Sequence, residues 1–261
     1  MSNAIASSPV VSENHISQFK KDGCFVLESV LPPEHLELLR AEAQAAIDRM
    51  NAEMDRQGTD TIHLSHRGKR YFSAFCYKAR PQMGDFIFSP LMADICRATL
   101  GPDAWFFLDQ YVIKCADKES AFSWHQDSGY IQHPFHKPYL TCWITLDDVT
   151  EENGTVYLLP YSRLGIRNYV QHEKDPRTND MVGYFGSDKG IPVIAPAGSI
   201  AVFSSHVFHS SGANLTDRMR RVFLAQYSSE IIMSKDGSKP WREGSEPFLR
   251  DSKIVWRSPS A

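Results

Sequence analysis

The stretch SWHQDSGY, residues 123–130, sets His125 and Asp127 two apart in an aromatic neighbourhood. On an extended strand such residues face the same way, so an imidazole nitrogen and a carboxylate oxygen there could share one metal ion. Alone the pair is weak: His125 also reads as a core histidine, and Asp127 as the cap of a turn at Ser128-Gly129. A metal reading requires a third ligand. The downstream segment FSSHVFHSSGANLTDRMRR offers two, His206 and His209. Either completes a set of two histidines and one carboxylate, which leaves three coordination positions open and is the donor set of non-haem Fe(II) oxygenases. The same segment carries Arg220 and Arg221. Such an oxygenase must hold a dicarboxylate co-substrate by its far end, and a guanidinium pairs bidentately with a carboxylate while staying charged when buried.

Taken in order, FKKDGCFVLESVLPPEHLELLRAEA, WHQD, CWITLDDVTEENGTVYLLPYS and HSSGANLTDRMRR resemble the phytanoyl-CoA dioxygenase family of 2-oxoglutarate-dependent Fe(II) oxygenases, over roughly residues 15–230. The resemblance implies Fe(II), 2-oxoglutarate as co-substrate, and O2. It implies His125 and Asp127 as ligands, and the family's spacing to the co-substrate arginine, Arg220, puts the third ligand at His209. It further implies Ser211 as a second donor to the co-substrate carboxylate and Trp143 as a wall of its pocket. Gln110 is a further polar contact, and Arg70 the family's basic residue from the N-terminal half. Arg221 is the better candidate for a plain surface ion pair. Halogenases on this fold carry alanine or glycine in place of the carboxylate; Asp127 therefore points to hydroxylation or a related oxidation.

Positioning these groups requires strands, and the pattern supplies them. Between about 104 and 230 short apolar runs (AWFFLDQYVIKCA, TCWITLDDV, GTVYLLP, GSIAVFSS, RRVFLAQYS) alternate with turn signals such as EENG and APAGS. The expected fold is mainly β with flanking helices: a double-stranded β-helix, the cupin-like jelly roll, at about 104–230, supported by N-terminal helices. Before it, Ser12 caps a short helix ended by Gly23, CFVLESVL reads as a strand, and Pro33 opens a long helix. In that helix Leu36, Leu39, Ala43, Ile47 and Met50 recur at helical spacing. A third helix covers roughly 90–100. The polar insert at about 162–190 breaks the strand rhythm and reads as a lid or binding loop. A flexible tail of residues 1–11 and one domain over 12–261 are expected.

Composition bounds the rest. With 261 residues, 42% apolar and 23% charged, the chain can bury a core without staples. A formal charge of −3 gives no electrostatic footprint for nucleic acid. Five scattered cysteines without a CxxC fit reduced thiols, and no run is long enough to span a membrane. The start lacks the charged and apolar regions of a secretion signal, so a cytoplasmic monomer or homodimer is expected.

The expected activity is oxidation, by hydroxylation in the first instance, of an unactivated C–H in a small molecule, a secondary metabolite or its precursor. The basic run SHRGKR ending at Arg70 is either a solvated loop or a grip for one anionic group, while Phe72 and Tyr130 suit an apolar or ring-bearing body. His133 lies just after the metal motif, where a substrate-facing loop would run. Two rivals are a catalytically silent jelly-roll metal-binding or sensor protein and a cupin dioxygenase that needs no 2-oxoglutarate. Arg220 and Ser211 argue against both.

Overall fold

A computed structural model describes residues 10–118 and 121–257. Helix α1 (Glu13–Asp22) starts where Ser12 and His15 cap each other, and ends at Gly23, whose φ of 76° suits a residue without a side chain. Strand β1 (Cys24–Leu27) is shorter than the expected run because the chain turns at Ser29, φ 52°. Helix α2 (Pro33–Gln57) buries Leu39, Ala43, Ile47 and Met54, while Leu36 and Met50 are half-buried at the edge of that face. Of the expected tail, residues 1–9 lie outside the described residues, and Val11 is buried in the main core.

The basic run is not a solvated loop. It lies in a small antiparallel meander, β2 (Thr61–Ile62), β3 (Ser65–His66) and β4 (Arg70–Ala74), that joins the main sheet. Two one-turn helices, α3 (Cys76–Ala79) and α4 (Gly84–Ile87), lead to α5 (Pro90–Thr99), which occupies the expected third helix. The next strands are β5 (Ala104–Lys114), β6 (Phe122–His125), β7 (Leu140–Thr145) and β8 (Val156–Leu159). After α6 (Tyr161–Leu164) come β9 (Glu173–Lys174), β10 (Met181–Val182), β11 (Ile191–Pro192) and β12 (Ile200–Ser204). The chain closes with β13 (Phe208–Ser211), β14 (Arg220–Ser228), β15 (Glu246–Arg250) and β16 (Lys253–Ile254).

The strands form a large sheet, β1-β12-β7-β14-β5-β4-β3-β2, with β15 and β16 attached through β5, a smaller one, β11-β8-β13-β6, and a separate two-stranded pair, β10-β9. Every pairing is antiparallel, and the two larger sheets make the expected jelly roll. Period-two alternation sorts each central strand between two cores. On β14, Phe223, Ala225 and Tyr227 join the core that includes the α2 residues, while Val222 and Leu224 join Trp143, Val156 and Leu158 between the sheets. Removing a fully buried ring such as Phe223 costs roughly 3–5 kcal/mol. Residues of one parity therefore build the scaffold. Those of the other parity face the interior between the sheets, where the chemistry lies. Among the described residues no helix is long and apolar enough to cross a membrane.

Candidate active site

His125 ends β6, Gln126 continues extended, and Asp127 opens a one-turn 3-10 segment. The i, i+2 relation thus survives although only His125 lies within a strand. His209 sits on β13 directly opposite His125 in the register, which decides between the two downstream histidines. The His125 and His209 rings are 4.1 Å apart, and Asp127 Oδ1 is 3.4 Å from His209 Nε2 and 3.9 Å from His125 Nε2. Ligand atoms of all three lie within 4.8 Å of one another, as one metal ion requires. His206 points elsewhere, with Nδ1 on the Arg167 carbonyl at 3.1 Å.

The ligands are held in a metal-binding state. Each histidine turns Nδ1 to the backbone carbonyl two residues before it, His125 to Ser123 at 2.7 Å and His209 to Val207 at 3.1 Å. Both Nε2 atoms are thereby turned toward Asp127. Burial, helped by the facing His209 ring, keeps His125 well below the ordinary imidazole range and therefore neutral. Burial alone would raise the Asp127 pKa, but His209, His125 and the Thr141 hydroxyl outweigh it and hold the group as a carboxylate. Two imidazoles and one carboxylate suit Fe(II).

Beyond the triad, a cavity of about 210 Å³ runs between the sheets. Gln110, Trp143, Ser211 and Arg220 all line it, as do Phe72 and Tyr130. Arg220 is 1% exposed, yet no carboxylate lies within ion-pair distance of it among the described residues. Its guanidinium donates to the Gly154 carbonyl at 2.8 Å and lies 5.6 Å from the Trp143 ring, while Nε has no acceptor. Burial lowers its pKa to about 10, so it remains charged at neutral pH. Gly154 belongs to the expected EENG turn; at φ 77°, with the Gly212 carbonyl 2.5 Å from where a Cβ would sit, only glycine fits. Lys114 stands opposite Arg220 on one side and Arg70 on the other, so three basic residues lie side by side across β14, β5 and β4. Burial first, then Arg220 and Arg70, pushes the Lys114 pKa well down. By contrast Arg221 makes a bidentate pair with Asp147, at 2.6 and 2.9 Å.

Two expected substrate residues do not line this cavity. Arg70 is 4% exposed and bonds the Asp180 carboxylate at 3.3 Å and the Leu64 carbonyl at 2.9 Å, so its charge is already matched within the protein. His133 is 3% exposed; Nε2 bonds the Met233 carbonyl at 3.1 Å and Nδ1 accepts from Phe135 N–H. It tethers the segment after β14. None of the residues of the insert at 162–190 is among those lining the cavity. It is fastened behind the metal motif by Asp180 on Ser123 N–H (3.1 Å), His172 on Gln126 N–H (2.9 Å) and Gly183 N–H on the Trp124 carbonyl (2.9 Å).

The sequence reading missed several residues. Thr141 and Gln226 both donate to Asp127 Oδ2, Gln226 at 3.1 Å. Each could have been found by counting in twos, from Trp143 and from Arg220. Trp241 and Arg242 also line the cavity, from beyond the expected core. Nothing local in the sequence marks them.

Residues 19–222 match the phytanoyl-CoA dioxygenase (PhyH) family. The chain belongs to that family. It is 26% identical to the multifunctional dioxygenase prhA of Penicillium brasilianum over 82% of this chain and 71% of that protein. It is 24% identical to the ectoine dioxygenase of Nocardia farcinica, covering 88% and 82%. Among solved structures, EvdO2 of Micromonospora carbonacea var. aurantiaca complexed with 2-oxoglutarate superposes with a TM-score of 0.67 at 22% identity, over 90% of this chain and 98% of that one. This PhyH member is a 2-oxoglutarate-dependent non-haem iron dioxygenase, with Fe(II) as its metal cofactor and 2-oxoglutarate and O2 as co-substrates.

Proposed function

We propose that the enzyme hydroxylates, or otherwise oxidises, an unactivated C–H of a small molecule, a secondary metabolite or its precursor. His125, Asp127 and His209 hold Fe(II), and Arg220 and Ser211 hold the far carboxylate of 2-oxoglutarate. The single observation that carries this reading is Arg220: a fully buried guanidinium, lacking a carboxylate partner among the described residues, lines the same cavity as the two-histidine, one-carboxylate triad. A buried charge left unmatched is costly, and a dicarboxylate co-substrate supplies the match. A silent metal-binding protein or a dioxygenase without 2-oxoglutarate has no use for that arrangement. Bound together, Fe(II) and 2-oxoglutarate supply the oxidising chemistry, consuming O2 and releasing succinate and CO2.

The chain's own groups bind, orient and exclude. The two Nδ1 hydrogen bonds fix both rings, and Thr141 with Gln226 fixes the carboxylate. Trp143 walls the co-substrate end against water. Tyr130 stands edge-on to the His125 ring at 5.5 Å, its hydroxyl accepting from Met181 N–H, and limits the space beside the metal. Keeping Asp127 rather than a small residue favours oxygen insertion over halogen transfer.

The test is succinate formation from 2-oxoglutarate, screened across amino acids, terpenoid acids and alkaloids, with product mass detected alongside. Wild type is expected to couple succinate to one of these compounds, and Asp127→Ala or His209→Ala to abolish that coupling. Retained coupling in either variant removes the triad assignment.

A further inference from the structure

The cavity carries a guanidinium at each end. Arg220 is one. Arg242, on the segment between β14 and β15, is the other. Strand β7 and the residue before it give a ruler, because Tyr139, Thr141 and Trp143 share one parity and rise about 7 Å per step. Trp143 lies by Arg220, Thr141 bonds Asp127, and Tyr139 lies within electrostatic reach of Arg242. The metal ligands therefore stand between the two arginines.

The fold holds Arg242 in place. The 234–239 turn closes through Ser234 N–H on the Lys239 carbonyl, Trp241 N–H donates to the Ile232 carbonyl at 2.8 Å, and His133 fastens Met233. The guanidinium faces two rings, Trp241 at 4.4 Å and Phe75 at 5.0 Å. Its Nε is buried without an acceptor, and it makes no hydrogen bond or ion pair among the described residues. The neighbouring arginines differ: Arg70 has Asp180 and Arg221 has Asp147. A half-buried arginine that lines a cavity with its Nε unsatisfied is suited to an anion brought by a ligand.

We propose that Arg242 is the anion subsite of the substrate pocket. The substrate is a small carboxylic acid whose apolar or ring-bearing body packs on Phe107, Leu108, Tyr139 and Trp241. This rests on the oxygenase reading above and moves the expected anion grip from Arg70, whose charge is matched, to Arg242. Aromatic faces behind a guanidinium leave its edge free for a carboxylate.

Three acids of different body, 3-phenylpropanoate, decanoate and 1-naphthylacetate, each set against its own amide, test this by titration. Binding is read by tryptophan fluorescence, and separately by perturbation of the Fe(II)–2-oxoglutarate charge-transfer absorption under anaerobic conditions. Wild type is expected to bind at least one acid about tenfold or more tighter than its amide. Arg242→Gln should reduce that preference to within about twofold, and Arg242→Lys should restore part of it. Equal affinity for acid and amide in wild type, a preference that survives Arg242→Gln, or no saturable binding of any acid overturns the proposal. Acid selection seen by fluorescence in protein that develops no charge-transfer absorption would instead sink the oxygenase reading and leave the subsite standing.

Discussion

Gln226 Nε2 lies 3.1 Å from Asp127 Oδ2, and this bond determines which carboxylate oxygen faces the histidines. Gln226 and Thr141 are directly opposed on β14 and β7, and Gln226 also donates to the Thr141 hydroxyl at 2.9 Å. One cross-strand pair thus occupies Oδ2 and leaves Oδ1 for a metal.

Replacing that pair with Gln226→Leu and Thr141→Val should leave the sheet intact but free the carboxylate to rotate. Outer supports of a metal ligand typically contribute 10–100-fold to affinity, and a loss of that order is expected here. Calorimetric titration with Mn(II) measures it. Unchanged affinity would mean that the backbone at Asp127 alone sets its orientation.

Arg220 and Arg221 are adjacent in sequence and should respond oppositely. Arg220→Met removes a buried charge that has no carboxylate partner among the described residues, so the ligand-free protein should lose little stability or gain some. The same change should raise the apparent KM for 2-oxoglutarate by about 10-fold or more, the worth of a charge-assisted pair. Arg221→Met breaks the half-exposed pair with Asp147 and should leave that KM alone. Thermal melts with and without 2-oxoglutarate, beside steady-state kinetics, separate the two. A normal KM in Arg220→Met would assign the co-substrate carboxylate to another group.

Arg70 and Asp180 form a buried pair, 4% and 1% exposed, between the main sheet and the insert. Asp180→Ala strands the guanidinium and also frees Ser123 N–H beside the metal motif, so a loss of about 3–5 kcal/mol is expected. The double change Arg70→Met, Asp180→Leu removes both charges and should recover much of it. Urea denaturation of the three variants decides. A double variant no more stable than Asp180→Ala would show that the charge pair is not what anchors the insert.

The sequence told most where spacing maps directly onto geometry. Apolar alternation marked the central strands, and the H-x-D pair with His209 marked the metal ligands. His206 and His209 are equal as residue types; the spacing to Arg220 that the resemblance implies selects His209, and the register opposite His125 agrees. The far end of the cavity was illegible because tertiary return builds it. Trp241 and Arg242 arrive through a turn pinned by His133, more than a hundred residues earlier. Arg70 read as a ligand grip for a similar reason, since its partner Asp180 sits across the chain on an insert with no pattern of its own. The helices α3 and α4 are single turns, too short to show a period.

Asp109 gives the fold a pH dependence independent of the metal. Its side chain lies on the helix-facing side of β5, 2% exposed, and accepts from Tyr77 N–H at 3.1 Å at the start of α3. Burial raises its pKa from 3.8 to about 6 against the opposing backbone hydrogen bonds. The native state therefore binds this proton more tightly than the unfolded chain does. Stability from this group is fully present below pH about 4 and is lost as pH rises through about 6. The loss is of the order of 3 kcal/mol, from a shift of about two units at roughly 1.4 kcal/mol each. Asp109→Asn keeps an acceptor for Tyr77 and carries no charge, so it should flatten the slope between pH 4 and 7 and be more stable than wild type at pH 8. Urea midpoints for both proteins across that range measure it, and parallel curves would show that Asp109 is ionised at no cost in the folded state.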